Sequence, residues 1–308
     1  MTDPLSTWRD VPTTDVVRRY VDDACADGYT GWVPPDERVA VFRNDGTMGN
    51  EKPMPIQLDF ILRRPVETAV EDPILREKQP WKAAHERDHG WLAQVMADHY
   101  AGDDTNPPAL AGGILTAFAD IRAEDFKARS EAVLGDVRHP TLGRGYLECA
   151  YVPMVELLDH LRANGSATDI VSGGGRDFMR PISERVHGIP RDRVIGSTVA
   201  LTYAPDDAGG ESVRQVTMDY LDDGPEKPVQ IWNRTGRRPA LAAGNSNGDV
   251  EMLDFTHHPD RPTLRLIVLH DDPEREFDYV SGAERALDRA AERGWTVVSM
   301  KDDWHRAF

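Results

Sequence analysis

Cysteine is scarce in this chain. Only Cys25 and Cys149 occur among 308 residues, far apart and without a C-x-x-C or Cys/His spacing. That excludes a disulfide framework and a thiolate metal centre, and it points to a reducing compartment. Positive charge is also short: the formal net charge is −17, and no Lys/Arg cluster with interleaved aromatics occurs. No nucleic-acid partner is therefore expected. Long hydrophobic runs are absent, since none approaches the roughly 18–20 apolar residues of a membrane span. The opening Met1–Trp8 has neither a basic n-region nor an apolar h-region. The expectation is no signal peptide, no membrane association and a cytoplasmic location. The acid excess reads most simply as solubility. It also means that an anionic ligand has to be drawn in by a local basic site.

Short apolar, β-branched runs are what the chain does have. Val39–Phe42, Asp169–Val171, Ala240–Ala243, Leu264–Leu269 and Thr296–Met300 read as strands, separated by helical patterns. That alternation predicts an α/β fold with a doubly wound parallel sheet and right-handed crossovers. In such sheets a ligand sits beyond the carboxyl ends of the strands. A lead-in helix is expected over Thr14–Cys25. An amphipathic helix is expected over Tyr151–Asn164, with Gly165 as its stop. Alternating apolar positions between 197 and 223, around Asp206–Gly210, predict a hairpin. Between the first two strands lies a long span, about 50–150. Ile56, Phe60, Ile61, Trp81, Trp91, Leu92 and Val95 recur there at helical spacing, which predicts a helical insertion.

Four polar blocks follow apolar strands or stand between them. The first is Arg43-Asn44-Asp45-Gly46-Thr47, directly after Val39–Phe42. The second is Ser172-Gly173-Gly174-Gly175-Arg176, where a hydroxyl and backbone amides at a helix start make an anion pocket. The competing reading is a plain strand-to-helix turn. The third is Lys227 in Gly224-Pro225-Glu226-Lys227-Pro228, and isolated lysines are normally solvated. The fourth is Gly244-Asn245-Ser246-Asn247-Gly248-Asp249, whose oxygens suit a hard cation. It reads equally as a turn with Asp249 at a helix N-cap. His270-Asp271-Asp272 closes a strand; His270 is a candidate base held by a carboxylate, with a structural turn as the simpler reading. His257-His258 shows no metal-ligand spacing.

In this order, the four blocks resemble the motifs of the haloacid dehalogenase (HAD) superfamily, in its phosphoserine-phosphatase-like branch. The resemblance covers most of the chain. It implies an α/β core over 1–49 and 151–308, with a helical cap inserted over 50–150. It implies Asp45 as general acid/base, and Thr47, Ser172, Gly173, Gly174 and Arg176 as substrate-binding positions. It implies Lys227 as the cation that offsets developing charge. Asp45, Asn245 and Asp249 match the magnesium-binding positions.

One departure dominates. The family's nucleophilic Asp, which is also a metal ligand, is replaced by Arg43. A guanidinium is permanently charged and can neither attack phosphorus nor bind a cation. The covalent aspartyl-phosphate route is closed, and Mg²⁺ is placed in doubt. Either Arg43 takes the magnesium position, pairing with Asp45 or Asp249, or it marks lost function. The expectation is a noncanonical enzyme acting on a small phosphate- or carboxylate-bearing molecule, with Arg43, Asp45 and Lys227 as the catalytic group. The alternative is an inactive pseudophosphatase used as a binding or regulatory module.

Overall fold

The computed structural model describes residues 3–29, 31–61, 74, 77, 81–86, 88 and 118–308. The sheet is built around β1 (Val39–Phe42), all four of whose residues are buried. A strand buried on both faces reads as an unbroken apolar run, which is why these four residues stood out. β1 lies between two parallel neighbours, β2 (Ala167–Gly175) and β5 (Leu241–Gly244), with Phe42 level with Ile170 and Ala243. Beyond β2 comes β3 (Val194–Ala204). It pairs antiparallel with β4 (Glu211–Tyr220) at the sheet's edge. Beyond β5 comes β6 (Leu264–Asp271), which pairs parallel with β8 (Thr296–Ser299) and antiparallel with the short β7 (Asp278–Tyr279).

Side chains alternate across β1 and so feed two separate cores. Ala40 and Phe42 face Val17 and Val21 of α1 (Pro12–Cys25), Leu157 and Leu161 of α3 (Val152–Ala163), and Phe178 of α4 (Arg176–His187). Val39 and Val41 face the opposite layer. That layer holds Ile231 of α5 (Glu226–Thr235), Leu253 of α6 (Val250–Phe255), and Ala286 and Ala290 of α7 (Glu284–Arg293). Helices on both faces of a mainly parallel sheet make the expected doubly wound α/β architecture.

Some boundaries differ from the sequence reading. β2 does not stop at Ser172 but continues extended through the glycine run, with a register shift between Ser172 and Gly175. The run is held straight by the neighbouring strand, because Ser197 Oγ donates to the Gly173 carbonyl at 2.7 Å. β8 ends at Ser299, whose hydroxyl caps the short α8 (Met300–Asp303) by accepting from the Asp302 amide at 2.9 Å. The hairpin around Asp206–Gly210 is formed by β3 and β4. Asp206 Oδ1 accepts from the Ala208 and Gly210 amides at 2.8 and 2.7 Å.

Within the span 50–150, residues 56–61 are helical, Trp81–Glu86 form a short helix, and α2 covers Ala123–Asp136. Phe60 stacks on Phe118 at 4.8 Å between centroids and meets Phe126 at 5.7 Å and Phe178 at 5.0 Å. That aromatic cluster ties 56–61 and α2 to α4 above the carboxyl end of the sheet. Trp91, Leu92 and Val95 lie outside the described residues. Among those described, no helix is long and apolar enough to cross a membrane.

Candidate active site

β1 and β5 end side by side, so the polar turns that follow them touch. Arg43, the first residue after β1, is 8 % exposed and bonds across to the β5 turn. Its Nε donates to the Asp45 carbonyl at 2.8 Å. One terminal nitrogen donates to Ser246 Oγ and lies 3.4 Å from Asp249 Oδ2. The other reaches Glu51 Oε2 at 3.3 Å. The guanidinium is therefore ringed by a backbone carbonyl, a hydroxyl and two carboxylates.

Asp249 is the centre of the charge balance. It stands at the N-cap position of α6, but its carboxylate makes no cap there and turns back toward the strands. Lys227 Nζ donates to Oδ1 at 2.5 Å, and the amides of Asn245 and Ser246 donate to Oδ2 at 3.0 Å each. Burial pushes this carboxyl up, but Lys227, Arg43 and those hydrogen bonds outweigh it and hold the group at about 2. Lys227, singled out by its place in the motif order, is fully buried from the first turn of α5. Its charge is committed to Asp249.

Thr47 and Asn245 lock the two turns together. Thr47 Oγ1 donates to Asn245 Oδ1 at 2.9 Å, and Asn245 Nδ2 donates to Glu51 Oε1, also at 2.9 Å. Thr47 is fully buried, and its hydroxyl is engaged within the turn. Gly46 is obligatory here: its φ is +75°, and a Cβ would strike Asn245 Nδ2 and come within 2.6 Å of Glu51 Oε1.

Ser172 and Asp45 face the same glycine. A Cβ on Gly174 would lie 3.3 Å from Ser172 Oγ and 3.5 Å from Asp45 Oδ2. Ser172 Oγ accepts from the Gly174 amide at 3.2 Å. The Gly175 amide is capped by Gln57 Oε1 at 2.5 Å. Burial raises the Asp45 carboxyl; Arg43 opposes this, Glu51 reinforces it, and the net shift is upward. A raised carboxyl carries a proton further toward neutral pH, as a general acid needs. Arg176 opens α4, and its guanidinium pairs with Asp177 at 3.2 Å.

Residues 43, 45, 57, 172–175, 177, 197–199 and 214 line a cavity of about 240 Å³. The Ser172–Gly175 backbone forms one wall and Asp45 another. Behind Lys227 lies Asp222, fully buried, with no donor reaching either oxygen in hydrogen-bonding geometry. Burial is the main cause that pushes its carboxyl up to about 7, against the pull of Lys227 and a weak contribution from the nearby Ser172 amide.

His270 lies beneath the β1 turn, not in the cavity. Its Nε2 meets the Gly46 carbonyl at 2.8 Å, and its Nδ1 meets Glu276 Oε2 at 2.9 Å. The carboxylate that holds it is thus Glu276. Asp272 instead accepts from the Glu274 and Arg275 amides, and Asp271 from Ser299 and Lys301, which shapes the chain end of the sheet. Tyr279 stacks on His270 at 4.3 Å and donates to Glu51 Oε1 at 2.7 Å. Glu51, Gln57, Ser246, Glu276 and Tyr279 are the site residues that sequence reasoning missed. Only Ser246, inside the fourth block, carried any local signal.

The donor set does not fit a divalent cation with Arg43 where it is. Of the positions expected to bind a metal, the Asp45 carbonyl and the Asp249 carboxylate are already bonded to a guanidinium and an ammonium, and Asn245 Oδ1 accepts from Thr47. Among the described residues no group of three or more His, Cys, Asp or Glu side chains is arranged to hold a metal.

The four blocks come together at the carboxyl end of one mainly parallel sheet with β1 at its centre. Solved structures share the fold. A protein of unknown function from Bordetella pertussis Tohama I matches with a TM-score of 0.53 at 16% identity, covering 85% of this chain and 98% of that one. A conserved functionally unknown protein from Anaerococcus prevotii DSM 20548 matches at 0.57 and 15% identity, covering 97% and 94%. A phosphoserine phosphohydrolase-like protein from Francisella tularensis matches at 0.45 and 13%, covering 85% and 94%, too loose a likeness to carry further argument. No family model matches the chain, and no curated protein matches it in sequence.

Proposed function

We propose that this chain is a HAD-like enzyme that handles a small phosphate- or carboxylate-bearing molecule without a divalent metal. The observation that carries the reading is the ring of oxygens around Arg43. The guanidinium bonds the Asp45 carbonyl, Ser246 and Asp249 and so supplies fixed positive charge where the family's fold would place a cation. The substrate anion docks on the Ser172 hydroxyl and the Gly174–Gly175 backbone after displacing Gln57. Asp45 acts as the general acid/base. No side chain of the site offers a carboxylate nucleophile at position 43, so any group transfer uses water or a second substrate as acceptor. Lys227 acts through Asp249 by balancing its charge. The span 50–150 serves as a cap, and Pro55, Gln57, Leu58, Ile61 and Phe126 are the described residues by which it lines the cavity.

The test is turnover of a phosphomonoester panel in EDTA and in Mg²⁺, comparing the native chain with Asp45→Asn. Turnover that survives EDTA and disappears in Asp45→Asn supports the reading. Turnover that needs Mg²⁺, or that survives Asp45→Asn, overturns it. A second reading, a binding module without turnover, is favoured by one specific feature: Arg43, Lys227, Asp249 and Glu51 saturate one another's charges. Thermal stabilisation by phosphate with no turnover on any ester selects that reading.

A further inference from the structure

We infer that the ligand of this cavity is a small anion whose non-reacting part is apolar, such as an aryl or alkyl phosphate, and not a sugar phosphate, a nucleotide or a bisphosphate. The inference rests on the anion site proposed above and deepens it. Among the described lining residues, Asp45, Ser172 and the glycine backbone meet at one end of the cavity, and Asp177, Thr198, Arg214 and Asp223 are further polar residues of its lining. The chamber leading away from that end is walled by Leu58, Ile61, Phe126, Phe178, Val199 and Met218. These come from three separate parts of the fold: the helical 56–61 segment with α2, the first turn of α4, and the β3–β4 hairpin. Apolar groups from separated chain segments therefore converge on one space.

The lining cations are paired within the protein. Arg214 is one of two lining cations. It lies 3.5 Å from Asp177, and its guanidinium rests on the Phe126 ring, 3.9 Å from the centroid. Arg43, the other lining cation, faces Asp249 and Glu51. Asp223 also lines the cavity, and it repels a second anion. A hydroxyl-rich body would bury groups with few partners here, at a cost of about 1–3 kcal/mol for each one left unpaired. An apolar body gains roughly 25 cal/mol per Å² removed from water. The volume, about 240 Å³, lies below the usual range of drug-sized pockets and suits one ring or a short chain.

The experiment is titration calorimetry of the full chain in EDTA with inorganic phosphate, phenyl phosphate, glycerol 3-phosphate and phenol. Phenyl phosphate is expected to bind at least tenfold more tightly than glycerol 3-phosphate. Met218→Glu, which puts a charge into the chamber wall, is expected to abolish that preference, and Met218→Leu to keep it. If phosphate binds but the two esters bind equally, the inference is overturned while the anion site stands. If phosphate fails to bind and phenol binds in the native chain but not in Met218→Glu, the chamber is right and the anion site is wrong. If none of the four binds, both are overturned.

Discussion

Replacing Asp222 by Asn removes a charge that the fold holds at a cost. The carboxyl is fully buried, and no donor reaches it in hydrogen-bonding geometry. Burial carries it from 3.8 to about 7. Because the folded value is raised, the folded chain binds the extra proton between about pH 4 and pH 7, and the unfolded chain does not. Stability is therefore lost as the pH rises through that window and stays low above it. At 1.36 kcal/mol for each tenfold change in acidity, the loss is at most about 4 kcal/mol. Asn escapes it but buries an amide that also lacks partners, which returns about 1–3 kcal/mol. The expected net gain is about 1–3 kcal/mol at pH 8. At roughly 2–4 °C per kcal/mol for a chain of this size or somewhat less, that is a rise of several degrees in melting temperature. The gain should vanish by pH 5, where Asp222 is already neutral. Differential scanning calorimetry at pH 5 and pH 8 on both proteins decides it. A difference that does not depend on pH, or an Asn variant less stable at pH 8, refutes the reasoning.

Further outcomes follow from the same contacts. Gly46→Ala forces a non-glycine residue to φ +75° and into Glu51 and Asn245, so a loss of at least about 2 kcal/mol in urea unfolding is expected. Gln57→Ala uncovers the Gly175 amide and should tighten inorganic phosphate binding several-fold by calorimetry; weaker binding would make Gln57 a ligand contact and not a plug. If Asp45 is the acid, the native rate falls as pH climbs through its raised pKa, because the proton to be donated is lost; a rate that rises over that range removes it from that role. Lys227→Met leaves Asp249 buried without its closest cation, and a loss of about 3–5 kcal/mol is expected from denaturant unfolding.

The strand pattern was legible because buried parallel strands write themselves as short apolar runs. Val39–Phe42 is such a run, and its bounds coincide with β1. The glycine run was harder. Locally it reads as a turn, and pairing with β3, which comes later in the sequence, together with the Ser197 hydroxyl keeps it extended. The burial of Lys227 had no local sign, since Gly224–Pro228 looks like any polar helix start. Its partner Asp249 comes from the next block. Glu51 and Gln57 were invisible for a related reason: their partners Asn245 and Gly175 are brought in by the sheet across separations of 194 and 118 residues. Position 43 was legible as a departure from a pattern. Its pairing with Asp249 could be anticipated from the motif order, whereas Ser246 and Glu51 join it only through the fold.

The central claim is that Arg43 stands in for a cation, and Mg²⁺ titration calorimetry on the native chain and on Arg43→Asp tests it most directly. The expected result is no Mg²⁺ binding by the native chain at millimolar concentrations and new, EDTA-reversible binding by Arg43→Asp, where Asp249 and the added carboxylate share the freed position. Mg²⁺ binding by the native chain, lost rather than gained in Arg43→Asp, would contradict the account.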